Sequence, residues 1–185
     1  MDQDQVMVFT PVFLANSCMI NSIKENLWKQ FGASIDMLSN AIEQWPEDAF
    51  NINKRIFYLS YHTLVFLDYY LTLPPKDFKS PLPFTVKEEK PYEAVDDVVP
   101  VRFYSKAELL QYLKHSHDKC FKLIDSLTEE KLKERFVEEE EGGKNFPIFE
   151  ILLYNMRHVQ HHAAQLNLLL RQSNLKAPRW VRQAQ

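Results

Sequence analysis

The sequence predicts an all-α protein, a four-helix bundle with a long crossover between its second and third helices. Apolar residues recur at spacings of three and four through four long segments, as they do on one face of an α-helix. Short links join the first helix to the second and the third to the fourth, whereas about thirty residues separate the second from the third. A bundle with one crossover connection has this pattern of link lengths.

The length and composition suit one globular domain. Hydrophobic residues make up 45% of the 185 residues and charged residues 25%, which excludes a mainly disordered chain. We expect residues 1–185 to share one core, with about ten N-terminal and about twelve C-terminal residues peripheral to it.

The spacing of apolar residues predicts the bounds of the first two helices. The second, about Asn53 to Leu73, is apolar nearly all round, so we expect it to be the most buried, and Pro74 and Pro75 end it. The first runs from about Asn16 to Glu43, and its inward residues are Ile20, Ile23, Leu27, Phe31, Ile35, Leu38 and Ile42.

The crossover from Pro74 to Tyr104 holds six of the ten prolines and shows no sustained period. Ser105 and Glu108 form a capping box that opens the third helix, which runs through Leu127. Its inward residues are predicted to be Leu109, Leu113, Cys120, Phe121 and Ile124.

The remaining chain contains one more long helix. Thr128 to Arg135 resembles a short extra turn of helix, and the charged stretch from Glu138 to Asn145 is interpreted as a solvated loop. The fourth long helix runs from about Pro147 to Gln172, with proline well placed near its first turn.

Several classes of function lack support. The net charge is −3 with no basic stripe, so we expect no nucleic-acid partner, and no apolar segment reaches the roughly 20 residues that span a membrane. The motifs GxGxxG, GxxxxGK[ST], HExxH, GxSxG and Glu-x-x-His are all absent. Cys18 and Cys120 match no metal or disulfide pattern, so two buried thiols in a reducing cytoplasm are the expectation.

The fourth helix carries a pair of histidines at metal-ligand spacing. His158 and His162 lie about 40° apart around the helix and about 6 Å apart along it, so both rings can reach one ion. They lie on the shoulder of the apolar face, whereas His161 points nearly opposite to it and is predicted to be on the surface. The apolar face itself consists of Leu152, Val159, Ala163, Leu166 and Leu170.

His62 is the candidate third ligand, because it is the only histidine in the apolar second helix. A buried imidazole needs a partner for each ring nitrogen, and a metal on one with a hydrogen bond on the other provides both. A core histidine bonded to a carbonyl or a tyrosine is the alternative. Three imidazoles without a carboxylate would leave coordination positions open to water or substrate.

Other polar residues near these helices have less specific roles. Gln165 lies on the same stripe as His158 and His162 and could hydrogen-bond a ligand histidine or simply be a surface glutamine. His117 falls near the apolar face of the third helix, where it could be a fourth ligand or a histidine on the rim, while His115 points away. No carboxylate is identified by spacing as a general base.

The segments LLYNMRHVQHHAAQLNLLLRQ and YLSYHTLVFLDYYL resemble the DinB-like (YfiT-like) superfamily of metal-dependent enzymes, and the HVQHHAAQLN run is the most specific part. The resemblance also covers the first helix, the crossover motifs PPKDF and PLPF, and YSKAELLQYL. It implies a four-helix bundle in which His62, His158 and His162 hold one divalent metal ion, commonly nickel or zinc. It also implies frequent homodimers, and activities that include thiol-dependent S-transfer, isomerisation and hydrolysis.

Two functional hypotheses follow from the sequence. The first is a cytoplasmic metal-dependent enzyme whose three-histidine site activates water or a low-molecular-weight thiol against a small-molecule substrate. The second is a non-catalytic bundle that dimerises or binds a partner through its aromatic and leucine surface, with structural or adventitious metal.

Overall fold

In the computed structural model, long α-helices form a bundle. The structure describes residues 12–49 and 53–184, with the side chains of the first helix described from residue 19 onward. The helices are α1 (Val12–Gln44), α2 (Lys54–Tyr70), α3 (Lys106–Asp125), the short α4 (Glu129–Lys133) and α5 (Ile148–Gln172). Two antiparallel pairs of strands join them, β1 (Phe84–Val86) with β2 (Val98–Pro100), and β3 (Arg135–Val137) with β4 (Asn145–Pro147). The predicted all-α bundle is confirmed, with two small hairpins added.

In the bundle, α1 contacts α3 and α5, and α2 also contacts both of these helices. Most residues of α2 are buried, as expected for a helix that is apolar nearly all round. None of the described helices is long and apolar enough to cross a lipid bilayer. The inward residues of the long helices meet in one core, and those that are completely buried include Phe31, Ile35, Leu38, Ile42, Leu64, Leu109, Leu152 and Leu166.

A buried ionic network joins α2 to α3. Asp68 is only 2% exposed, and its carboxylate accepts hydrogen bonds from Tyr112 Oη at 3.0 Å and from Lys119 Nζ. Lys119 Nζ also donates to Thr72 Oγ1 at 2.6 Å. Each carboxylate oxygen of Asp68 therefore has a partner, which compensates for the cost of burying the charge.

The crossover is fixed against the bundle by two tyrosines. Tyr61 Oη on α2 donates to the carbonyl of Leu82 at 2.6 Å, and Tyr104 Oη donates to the carbonyl of Pro83 at 2.7 Å. The two rings stack with centroids 5.6 Å apart. The hairpin β1–β2 begins directly after these contacts, with Phe84 paired to Pro100. The crossover therefore has a defined position over α2, although its sequence shows no period.

A second hairpin leads into α5. The charged stretch from Glu138 to Asn145, predicted to be a solvated loop, forms the turn between β3 and β4, and Gly142 has a φ of 79° there. Phe136 on β3 is completely buried and packs edge-on against Tyr69 and Tyr70 of α2. The hairpin therefore covers one end of α2.

Local features of the sequence are mostly confirmed. The capping box of Ser105 and Glu108 is present, and Thr128 caps α4. Phe121, predicted to face inward, is instead 47% exposed and packs edge-on against Trp28. It follows the buried Cys120, and one residue turns about 100° around a helix, which carries the ring to the rim. The side chain of Cys18 lies outside the described residues.

The C-terminal segment lies along α1. The amide of Ala184 donates to the carbonyl of Lys29 at 2.9 Å, and the amide of Val181 donates to Met37 Sδ at 3.2 Å. A Cβ atom at Gly32 would lie 2.6 Å from Ala184 Cβ, so glycine allows this close approach.

The ionic network predicts a clear difference between two lysines of α3. We expect Lys119→Met to lower the free energy of unfolding by about 2 kcal/mol, because it leaves the buried Asp68 charge with a single partner. This value is below the usual cost of breaking a buried ion pair, because Lys119 keeps some contact with water. Lys114→Met removes an exposed pair with Asp118 and should cost no more than about 0.5 kcal/mol. Urea denaturation measures both, and equal midpoints for the two variants would contradict the assigned role of the network.

Candidate metal centre

Three histidine side chains converge between α2 and α5. His62 comes from α2, and His158 and His162 come from successive turns of α5. Their ring centroids lie 4.6–5.1 Å apart, and Nε2 of His62 lies 3.0 Å from Nε2 of His158. One ligand nitrogen from each ring lies within 4.8 Å of the others. The structure thus brings together the three histidines that the sequence singles out.

The packing of α5 against α2 sets this convergence. Asn155, one turn before His158, is completely buried and donates from Nδ2 to the carbonyl of Leu67 at 2.9 Å. This bond fixes how far α5 can slide along α2. Val159 and Ala163, which alternate with the histidines, are completely buried on the apolar face. The same packing that buries this face therefore holds both imidazoles toward α2.

The three histidines of α5 differ in exposure as the helical wheel predicts. His162 is 7% exposed, His158 is half-buried, and His161 is exposed. His62 on α2 is 9% exposed. The candidate ligands are therefore the shielded rings, and His161 is on the surface as predicted.

Aromatic side chains surround the cluster and exclude water from part of it. Phe66, one turn after His62, has its ring centroid 4.8 Å from that of His62 and 6.0 Å from that of His158. Tyr70 lies edge-on to His158 at 6.1 Å. Such surroundings disfavour a charged imidazolium.

The pKa values follow from this burial. Burial, with smaller contributions from the neighbouring histidines and Lys144, lowers the pKa of His158 to about 2. Burial also lowers the pKa of His162 to about 4, although its hydrogen bond to Gln165 acts in the opposite direction. Both rings are consequently neutral at physiological pH, which is the form that binds a metal ion.

The outer nitrogens of the rings have different partners. His162 Nδ1 lies 2.8 Å from Gln165 Oε1, so the ring donates there and Nε2 keeps its lone pair. His62 Nδ1 lies 2.8 Å from Asp96 Oδ2, close in distance but without the alignment of a hydrogen bond. His158 Nδ1 is buried and has no hydrogen-bond partner. Two of the three outer nitrogens thus have an oxygen acceptor within reach.

Asp96 is the residue that the sequence reasoning missed. It belongs to the crossover, just before β2, where no helical period relates it to the histidines. Spacing along the sequence identified no carboxylate beside the triad, whereas the structure places Asp96 next to His62. The only sequence signal was an acidic pair, Asp96 and Asp97, within a Pro-rich connection.

Gln165 also contacts a second histidine. Its Nε2 lies 3.1 Å from Nε2 of the exposed His161, so the amide bridges His161 and His162. The side chain thus lies next to the cluster, and its carbonyl oxygen can set the tautomer of His162.

The two histidines of α3 lie apart from this cluster. His117 packs edge-on against Trp28 of α1, with centroids 5.1 Å apart, and Nδ1 lies 3.4 Å from Asp118. His115 is exposed. The alternative of His117 as a fourth ligand is therefore wrong, because its ring faces α1 rather than the space between α2 and α5.

The three inner nitrogens fit a small divalent cation. Zinc binds histidine nitrogen at about 2.0–2.1 Å in tetrahedral geometry, which places neighbouring donors about 3.3 Å apart. The 3.0 Å between the Nε2 atoms of His62 and His158 is close to this spacing. Without a metal ion, at most one of these two Nε2 atoms can donate a hydrogen bond to the other. A metal ion would instead bind the lone pairs of both. Nitrogen donors suit zinc, nickel and copper better than magnesium or calcium.

A surface groove leads to one side of the cluster. It has a volume of about 540 Å³ and is lined by His158 together with Tyr154, Arg157, His161 and Ala164. One ring of the triad therefore borders a space that a small molecule can enter.

Comparison with known proteins identifies the family of the chain. A family model described as the DinB superfamily matches residues 30–166, which include His62, His158 and His162. A search of curated proteins finds no match. The match extends over most of the chain, and the resemblance in the sequence is confirmed: the chain belongs to the DinB superfamily.

Proposed function

We propose that the protein is a metal-dependent enzyme in which His62, His158 and His162 hold one divalent ion through their Nε2 atoms. The convergence of three shielded imidazole nitrogens at one point carries this proposal. Membership of the DinB superfamily supports it. A divalent ion held by three imidazoles keeps coordination positions open, lowers the pKa of a bound water or thiol, and polarises an electrophile.

The protein's own residues would prepare this site in three ways. Burial keeps His158 and His162 neutral and ready to bind. Gln165 holds His162 in the tautomer that leaves Nε2 free. Phe66 and Tyr70 limit the access of water around the rings, which strengthens electrostatic interactions there.

The nucleophile in this proposal is water or a low-molecular-weight thiol. The converging group consists of imidazoles alone, and Asp96 contacts the outer nitrogen of His62, on the side away from the three Nε2 atoms. Asp96 is therefore poorly placed to remove a proton from water at the inner side. A thiol is far more acidic than water and depends less on a general base. Zinc or nickel as the ion, a small-molecule substrate, a homodimer and a cytoplasmic location stay predictions.

Metal content is the direct test of the site. Protein purified without a histidine tag should hold close to one equivalent of divalent metal per chain, and His158→Ala should lose it, because two imidazoles bind far more weakly than three. His115→Ala, which removes an exposed imidazole of α3, is the matched control and should keep the metal. Elemental analysis measures all three proteins. A metal-free protein whose stability is unchanged by His158→Ala would favour a non-catalytic bundle instead.

The nucleophile can be identified by turnover. The zinc- and nickel-loaded protein should convert at least one member of a panel of carboxylic esters, phosphate esters and alkyl halides, either in water alone or only with added thiol. His158→Ala should lower the rate at least about 100-fold, since removing a main catalytic contribution typically costs this much. Dependence on thiol would identify a transferase, and turnover in water alone a hydrolase. No turnover under either condition would contradict the proposed enzyme.

The lowered pKa of His162 predicts a pH-dependent stability. An unfolded histidine titrates near pH 6.5, but folded His162 stays neutral down to about pH 4, so between these values the unfolded state binds more protons. Folding stability must therefore fall as the pH is lowered from 6.5 to 4, by at most about 1.4 kcal/mol per pH unit for one proton. Urea denaturation of metal-free protein should show a shallower fall in His162→Gln. Parallel pH profiles for the two proteins would contradict the assigned burial.

A further inference from the structure

We propose that Asp96 is a positioning residue for this metal site, acting through His62. In this role its carboxylate accepts the Nδ1 proton of His62 and thereby keeps the Nε2 lone pair directed at the ion. The inference rests on the proposed function, and it assigns to the crossover a part in binding the metal.

The distances support this role. When Nε2 of His62 binds a metal ion, Nδ1 must carry the proton, and the carboxylate oxygen at 2.8 Å is an acceptor within reach. Nδ1 is itself shielded from solvent and has no hydrogen-bond partner. Leaving such a donor unsatisfied is costly, so a modest reorientation of Asp96 toward the N–H direction is favourable.

The carboxylate is held in place from its other side. Asp96 Oδ1 accepts a hydrogen bond from the amide of Val98 at 3.1 Å, which leaves Oδ2 for His62. The amide of Lys87 donates to the carbonyl of Asp97 at 3.0 Å and closes the hairpin just beyond β1 and β2. One oxygen is thus fixed by the loop backbone and the other faces the ring.

The segment before Asp96 is also anchored. Ala94 is 5% exposed within the core, and Val95 packs against the same core. Arg55 at the start of α2 donates from Nη1 to the carbonyl of Glu93 at 3.1 Å. The loop therefore packs on α2, the helix that carries His62. This contact holds the Asp96 carboxylate beside the His62 ring.

A carboxylate on the outer nitrogen of a ligand histidine raises the basicity of the ring and fixes its tautomer. Loss of such a partner typically weakens metal binding about 10- to 100-fold. Asp96 is partly exposed, and water can replace part of its role, so we expect an effect at the lower end of this range.

The test compares Asp96→Asn with Asp97→Asn in the full chain. Asp97 is exposed and adjacent, so its substitution removes the same charge without touching His62. Dissociation constants for Zn²⁺ alone, measured by competition with a chelator, should rise about tenfold in Asp96→Asn and stay within about twofold of wild type in Asp97→Asn. Asp96→Glu, which keeps a carboxylate, should recover part of the affinity.

A spectroscopic measurement separates positioning from a merely structural role. In Zn²⁺-loaded protein labelled with ¹⁵N-histidine, His62 should show a protonated Nδ1 and a metal-bound Nε2, and the Nδ1 resonance should shift in Asp96→Asn but not in Asp97→Asn. Equal Zn²⁺ affinity in the two variants, or a loss of affinity matched by a loss of stability in the metal-free protein, would overturn the inference and leave the proposed function standing. Absence of Zn²⁺ binding in the wild type would overturn both.

Discussion

The space between α2 and α5 is organised by three imidazole rings that are largely buried, two of which have an outer nitrogen without a hydrogen-bond partner. Neutral imidazole offers one donor and one acceptor, so three rings whose nitrogens converge at one place cannot all be satisfied there. Burial lowers the pKa of His158 to about 2 and that of His162 to about 4, which prevents relief by protonation at neutral pH. A divalent cation is the partner that accepts all three lone pairs at once.

The rest of the fold serves to hold these rings at fixed distances. Asn155 ties α5 to the carbonyl of Leu67 on α2, and the completely buried Val159 and Ala163 keep that face of α5 in the core. Asp68 and Lys119 in turn tie α2 to α3. Tyr61 binds the crossover to α2 through the carbonyl of Leu82. The helix that carries His62 is thus tied to α3, to the crossover and to α5, the helix that carries His158 and His162.

The helical part of this arrangement could be predicted from the sequence because helices obey a short period. A repeat of 3.6 residues separates the shielded His162 from the exposed His161 with no knowledge of tertiary structure. It also identified the completely buried Phe31 and Ile35 of α1. The prediction was wrong for Phe121, which lies at the edge of the apolar face, where a few tens of degrees decide between core and rim.

The contribution of the crossover could not be predicted in the same way. Strands of three residues are too short to show alternation, so neither β1 nor β2 is visible in the sequence. The position of Asp96 depends on contacts distant in sequence, such as that of Arg55 with the carbonyl of Glu93. A pattern within one segment carries no information about such contacts. The sequence therefore predicted the three converging histidines but not the loop beside them.

A comparison of the two buried polar clusters shows why only one of them points to a ligand. At the first, Asp68 has a lysine and a tyrosine as partners, and Lys119 also donates to Thr72, so the charges are compensated within the chain. At the histidine cluster, His158 Nδ1 has no hydrogen-bond partner, and the Nε2 atoms of His62 and His158 face each other. Unsatisfied buried polar atoms cost stability. The histidine cluster, with its unpaired nitrogens, borders an open groove that a ligand could enter to pair with them. The Asp68 network is already paired within the chain, and its role is to hold α2 against α3.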